Sequence, residues 1–212
     1  MSLCDAKIHY FINGFIYAGK TNDPNPHKLS IPILSVLRLV SPIMNRHRNI
    51  TGDNWFTSIE LARGLKQVGL AYVGTMRKNK GEIPSEFLPN RNYQTGRTMF
   101  GFTSDLTMIS FVPKKSKFVI LLSSMHHYSK VDEESRKPDM ILLYNSTKKG
   151  VDTLNQKCAI YRTGRRCRCW PLVIWYAVMD IPIVNSYIIL KAAHHENKLT
   201  RRKFIKEHGQ EL

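Results

Sequence analysis

Most of the sixteen acidic residues stand among lysines or in a basic tail, as Asp132, Glu133, Glu134, Glu207 and Glu211 do. Asp5, Asp53 and Asp152 are placed differently. Asp5 lies on or just beside the first strand the sequence suggests, Asp53 closes a later strand, and Asp152 falls in the first turn of a helix. Strand-end carboxylates project from the carboxyl edge of a sheet, where α/β proteins build their sites. Two such acids with one from a covering helix could hold a pair of divalent ions. Ions about 4 Å apart can activate a water or a 3′-hydroxyl on one side of a phosphodiester and stabilise the leaving oxygen on the other. Magnesium suits that work because it takes oxygen ligands and keeps several waters.

Each acid also has a plainer role open to it. Asp152 could interact with the helix dipole for about 0.5 kcal/mol without any metal. Asp53 could be a turn acid that binds backbone amides ahead of Trp55. In KGVDTLNQK, Asn155 follows Asp152 by one helical turn and shares its face. An amide carbonyl can bind a hard cation but adds no negative charge, so a site using Asn155 should bind metal more weakly.

The elements that must position these residues alternate in type. The Asn13-Gly14 turn signal makes the opening a hairpin, with Ile8, Tyr10 and Ile12 alternating before it and residues 15–18 returning. A polar loop with two prolines (20–30) leads to a helix from Ile31, with Leu34, Leu37 and Val40 as its buried stripe and Pro42 as its end. RNITGD is a strand ending at Asp53. Thr57 and Glu60 read as a capping box that starts a helix, with Leu61, Ala62, Leu65 and Val68 inward and Gly69 closing it. LAYVGT is a further strand. TMFGF, LTMISFV, KFVILLSS and MILLYN then read as β-rich pieces of a small antiparallel insertion, and helical periodicity returns at Val151. The expected division is 1–79 and 140–212 for a mixed α/β core, with 80–139 inserted.

The charge points to a polyanion: 32 Lys and Arg oppose 16 Asp and Glu, for a net +16. YRTGRRCRCWP concentrates Arg162, Arg165, Arg166 and Arg168 beside aromatic residues close in sequence to Asp152, and suits contact with a DNA backbone. Gly164 would allow close backbone approach there. Arg77, Lys78 and Lys80 are a second basic cluster, and KLTRRKFIKEH is a basic amphipathic helix. Cys4, Cys158, Cys167 and Cys169 complete no zinc pattern and fit reduced thiols. The apolar run 170–190 is broken by Asp180, Pro182, Asn185 and Ser186. A charge at the centre of a span costs about 3 kcal/mol, so a buried helix of a soluble protein is expected, not a membrane span.

GDNWFTSIELARGLKQVGLAYVGTMRKNKGEIPSEF resembles the core of the piggyBac transposase family, whose members carry DNWFTS followed by a VGT-x-R-x-NK-x-EIP run. SLCDAKIHYFINGFIYAGK resembles the family's first-aspartate strand pair. LLYNSTKKGVDTLNQKC resembles its third-aspartate segment, and WPLVIWYAVMDIPIVNSYIIL the helices that follow. The resemblance implies a ribonuclease H-like mixed sheet flanked by helices and interrupted by a β-rich insertion. It also implies that Asp5, Asp53 and Asp152 are catalytic aspartates holding two magnesium (or manganese) ions. Family chemistry is nicking of transposon ends, hairpin formation and joining of 3′-hydroxyls to target DNA. The implied partners are DNA and a second copy or related full-length transposase, in the nucleus and away from membranes.

Two departures accompany the match. Asn155 stands where the family commonly has a fourth acid, and Cys169 precedes Trp170-Pro171 where the family usually has Arg. The matched segments also omit the family's N-terminal regions and its cysteine-rich zinc-binding domain. The chain is therefore expected to be a transposase-derived core unable to transpose alone, or a non-catalytic DNA-binding protein descended from one.

Overall fold

The computed structural model describes residues 1–19, 29–90, 92–194 and 199–211, with side chains to 207. The two-proline loop expected at 20–30 falls largely outside them. The described chain divides into two compact units. One comprises Met1 and Phe15–Lys148, the other Ser2–Gly14 and Lys149–Leu212.

The first unit is a mixed five-stranded sheet with helices. Strands β3 (Asn49–Gly52), β4 (Ala71–Thr75), β5 (Thr98–Phe102), β6 (Thr107–Lys114) and β7 (Lys117–Ser123) take the order β3-β4-β7-β6-β5. β3 and β4 run parallel, and every other pair is antiparallel. The helix between β3 and β4, α2 (Ile59–Gln67), supplies the crossover that parallel strands require. β5, β6 and β7 form the antiparallel meander expected of the β-rich stretch, and β7 joins it to β4 in one sheet.

Alternation along the strands separates two cores. Val73, Ile109, Phe111 and Leu121 project to one face, where Met140 and Ile141 of α3 (Asp139–Thr147) pack on them. MILLYN is thus helical, not β-rich as its apolar run suggested. Pro138 precedes the helix and Asp139 opens its first turn, both favourable at a helix start, and the face of the sheet supplies the burial. Tyr72 projects to the opposite face, toward the segment that leads into α2. β6 is buried from Thr107 to Val112, as expected for an inner strand covered on both sides.

Two local expectations shift by a residue. Ser58, not Thr57, caps α2, its Oγ accepting the Leu61 N–H at 3.1 Å. The Thr57 hydroxyl instead donates to the Asp53 carbonyl. In α1 (Ile31–Val40) the buried stripe is Ile33, Val36, Leu39 and Val40, while Leu34 is exposed and Leu37 half-buried.

The second unit joins a hairpin to helices. β1 (Ser2–Cys4) pairs antiparallel with β2 (Phe11–Gly14) as a separate two-stranded sheet. Asn13-Gly14 therefore lies within β2, and the turn falls at residues 5–10. The Asp5 carboxylate decides this, because its Oδ1 accepts the N–H groups of Lys7 and Ile8 at 2.8 and 2.9 Å. That local bonding specifies a turn more strongly than Asn-Gly does here. His9 completes it at φ 67°.

Helices α4 (Gly150–Ile160), α5 (Trp170–Ala193) and α6 (Arg201–Glu211) complete the unit. Asn185 of α5 covers the edge of β2: its Oδ1 accepts the Phe11 N–H and its Nδ2 donates to the Phe11 carbonyl, both at 2.9 Å. The expectation that α5 is buried is corrected. Of its residues only Asp180 and Val184 are buried, and Trp170 and Trp175 are 72% and 59% exposed. Its length and composition would suffice to cross a bilayer. A basic, non-helical loop docks at its centre, through Thr163 on Asp180.

Candidate functional site

In the first unit the site begins with two glycines. Gly52 and Gly74 face each other in register across β3 and β4. A Cβ on Gly52 would lie within van der Waals overlap of the Tyr72 hydroxyl, and one on Gly74 would collide with both that hydroxyl and Thr57 Oγ1. The glycines leave room for a phenol that is fully buried. Its Oη lies 2.8 Å from Thr57 Oγ1, which in turn donates to the Asp53 carbonyl at 2.7 Å. With its one proton spent on Asp53, Thr57 must accept from Tyr72. Burial pushes the Tyr72 phenol well above its ordinary pKa, so it stays a donor at any working pH.

Asp53 itself is exposed just past β3, and its Oδ1 accepts the Trp55 N–H at 2.8 Å. The turn-acid role is thus present in the structure. One of the two Asp53 carboxylate oxygens is held by the backbone.

Parallel β3 and β4 end at the same edge of the sheet, so residues after both strands converge there. Asn54 follows Asp53, and its Oδ1 accepts from Arg77 Nε at 3.3 Å. The basic cluster of Arg77, Lys78 and Lys80 therefore begins at the carboxyl edge beside Asp53. Arg77 and Lys78 are exposed and Lys80 half-buried. Sequence spacing gave no sign of this pairing. It follows from the parallel register, which brings segments 23 residues apart to one edge.

In the second unit, Asp5 lies directly after β1, half-buried, with two backbone donors on Oδ1. Asp152 is exposed in the first turn of α4, and Asn155 is exposed one turn later. The start of α4 packs on the segment holding Asp5. A Cβ at Gly150 would stand 3.2 Å from both Cys4 Sγ and Ala6 Cα. This close approach brings the backbones of the Asp5 and Asp152 segments together. Burial, reinforced by Asp5 and opposed by Lys157, pushes the Cys4 thiol up to about 11, so it is neutral beside them. Lys157 reaches back to this turn, with Nζ 3.3 Å from the Ile8 carbonyl and 3.2 Å from His9 Nδ1.

Arg162, Arg165, Arg166 and Arg168 are exposed on the loop between α4 and α5. Asp180 anchors that loop. Buried inside α5, its Oδ1 accepts both the backbone N–H and the hydroxyl of Thr163 at 2.8 Å. The backbone at Gly164 is closely approached by side chains: a Cβ there would stand 2.9 Å from Arg162 Nε and 3.0 Å from Tyr176 Cβ. Asp180 is the positioning residue that sequence reasoning missed, having counted it only as a break in an apolar run. A buried acid in an apolar helix was the available signal, since such a group requires a partner.

Asp5 and Asp152 thus share one unit and Asp53 belongs to the other. Within each unit, among the described residues, no three His, Cys, Asp or Glu side chains gather at metal-ligating distance.

Comparison with known proteins identifies the architecture. The profile of the family described as Transposase IS4 matches residues 1–187. Among solved structures, the chain is similar to a piggyBac transposase determined by cryo-EM in a synaptic complex with hairpin DNA. The identity is 38% and the TM-score 0.89, over 97% of this chain and 44% of that one. The chain therefore spans less than half the length of that transposase. The mixed sheet with its flanking helices is ribonuclease H-like, as the sequence resemblance implied.

Proposed function

Because the chain belongs to the Transposase IS4 family, we propose that it is a piggyBac-like transposase core whose chemistry is metal-dependent DNA cleavage and strand transfer. One observation carries the reading: Asp53 stands at the carboxyl edge of the sheet on the Thr57–Tyr72 support, with Arg77 brought beside it through Asn54.

Asp5, Asp53 and Asp152 are the residues that would hold magnesium or manganese, two ions in the family pattern. The donor set fits, since all three are hard oxygen ligands and two are oriented through backbone N–H bonds to one oxygen. Bound there, the ions would supply charge neutralisation and a more acidic attacking hydroxyl. The chain's own residues supply the rest. Arg162, Arg165, Arg166 and Arg168, with Arg77, Lys78 and Lys80, hold phosphates and fix the strand. Asp180 keeps the arginine loop in place through Thr163. The division into 1–79, 80–139 and 140–212, a nuclear location, and pairing with a second copy or a full-length relative belong to the same proposal.

A second reading has its own support. Asn155, exposed on α4 beyond Asp152, brings no negative charge to the site. A DNA-binding protein without catalysis would follow if metal affinity were lost. Titration of manganese into the folded chain, beside Asp53→Asn, separates the two. Metal binding that the variant loses, together with metal-dependent nicking, supports the catalytic reading. Salt-sensitive DNA binding that needs no metal and survives the substitution supports the other.

A further inference from the structure

Where β4 ends, β7 continues along the same edge, and a cleft of about 510 Å³ opens between Asn54, residues 75–79 and Phe118. It lies wholly within the first unit and begins one residue past Asp53. Phe118 is half-buried there and pairs with a second ring, the two flanked by a cation at each end. Lys78 Nζ stands 5.5 Å over the Phe118 ring, Tyr93 meets Phe118 edge to face at 6.3 Å, and Arg97 covers Tyr93 at 3.6 Å. At the β6–β7 turn Lys114, Lys115 and Lys117 are exposed, so the strand leading to Phe118 starts in positive charge.

We propose that this cleft seats an unpaired base of a DNA strand, stacked on Phe118, with its phosphates held by Arg77 and Lys78. The proposal rests on the DNA reading above and adds a preference for single-stranded nucleotides to it. Cation and ring geometry support it. The Lys78 contact is long and exposed, hence weak, whereas a base stacked on an aromatic ring is among the stronger sequence-tolerant contacts to single strands. An arriving base would displace the ammonium from the ring and leave it free to meet the phosphate that the base brings. Arg97, closely seated, keeps Tyr93 upright against the edge of Phe118. The polar end of the cleft is the Asn54 side chain, an amide that can present both donor and acceptor to a base edge. A cleft of this size takes one nucleotide and is too small for a duplex.

The test is fluorescence anisotropy with the full chain, using a short blunt DNA duplex and the same duplex carrying a few unpaired nucleotides. The wild-type chain should bind the overhang duplex more tightly. Phe118→Leu, which keeps apolar volume but removes the ring, should weaken overhang binding about tenfold and leave blunt binding unchanged. Tyr93→Leu provides the same comparison if the β7 variant does not fold. Equal wild-type affinity for the two duplexes, or equal losses on both in the variants, overturns the base seat. Absence of any DNA affinity in the wild type overturns the DNA reading itself.

Discussion

Gly52→Ala is the substitution that most directly tests how Asp53 is supported. The new methyl would overlap the Tyr72 hydroxyl and lie 3.0 Å from the ring carbon that bears it. The phenol has no alternative place, because it is fully buried and its backbone N–H is bound to Ser124 Oγ at 2.8 Å. Either the hydroxyl leaves Thr57 or β3 moves away from β4. Overpacking of a core costs about 1–3 kcal/mol, and a lost buried hydrogen bond adds about 1 kcal/mol, so the variant should lose about 3 kcal/mol. Tyr72→Phe alone removes only the hydroxyl and should cost about 1 kcal/mol. In the double variant the nearest ring atoms are carbons at 3.0 and 3.1 Å, which small shifts can relieve. The pair should therefore cost roughly 2 kcal/mol less than the sum of the singles, far outside the ~0.5 kcal/mol expected of independent sites. Urea denaturation followed by tryptophan fluorescence measures all four proteins. Additive costs, or a neutral Gly52→Ala, would refute the account of the two glycines.

Asp180→Ala should destabilise the chain by about 1–3 kcal/mol, because it strips both Thr163 bonds from a buried anchor. The same change should expose the arginine loop to trypsin, seen as faster cleavage at Arg162, Arg165, Arg166 and Arg168 with Asp180→Asn nearer wild type. Replacing Arg165 and Arg166 with Ala should reduce the slope of log affinity against log salt by about 1 for each phosphate that is no longer neutralised, as measured in a DNA titration. Iodoacetamide at mildly alkaline pH should label exposed Cys169 well before Cys4, whose thiol burial holds at about 11. The linked stability runs the same way. The folded chain keeps the Cys4 proton above the ordinary thiol value of 9.0, so stability should fall as pH rises from there toward 11.

Elements specified locally were legible in the amino-acid order alone. β3, α2 and β4 stand where RNITGD, the apolar spacing after Thr57 and LAYVGT placed them, with the cap one residue later at Ser58, since strand propensity, capping and the left-handed Gly69 act over a few residues. The motif-level resemblance also identified the family and its ribonuclease H-like sheet. Where two local signals competed, the sequence could not decide. Asp5 and Asn13-Gly14 both favour a turn, and the carboxylate that captured two N–H groups took it. MILLYN fits strand or helix, and only the face of the sheet above Val73 and Leu121 made it a helix. The apolar run of α5 suggested burial, yet burial depends on what packs against a helix, and here only Asp180 and Val184 are enclosed. The convergence of Asn54, Arg77 and Phe118 on one edge belongs wholly to the tertiary structure. Parallel pairing of β3 with β4, and antiparallel pairing of β7 with β4, bring together residues that no sequence spacing connects.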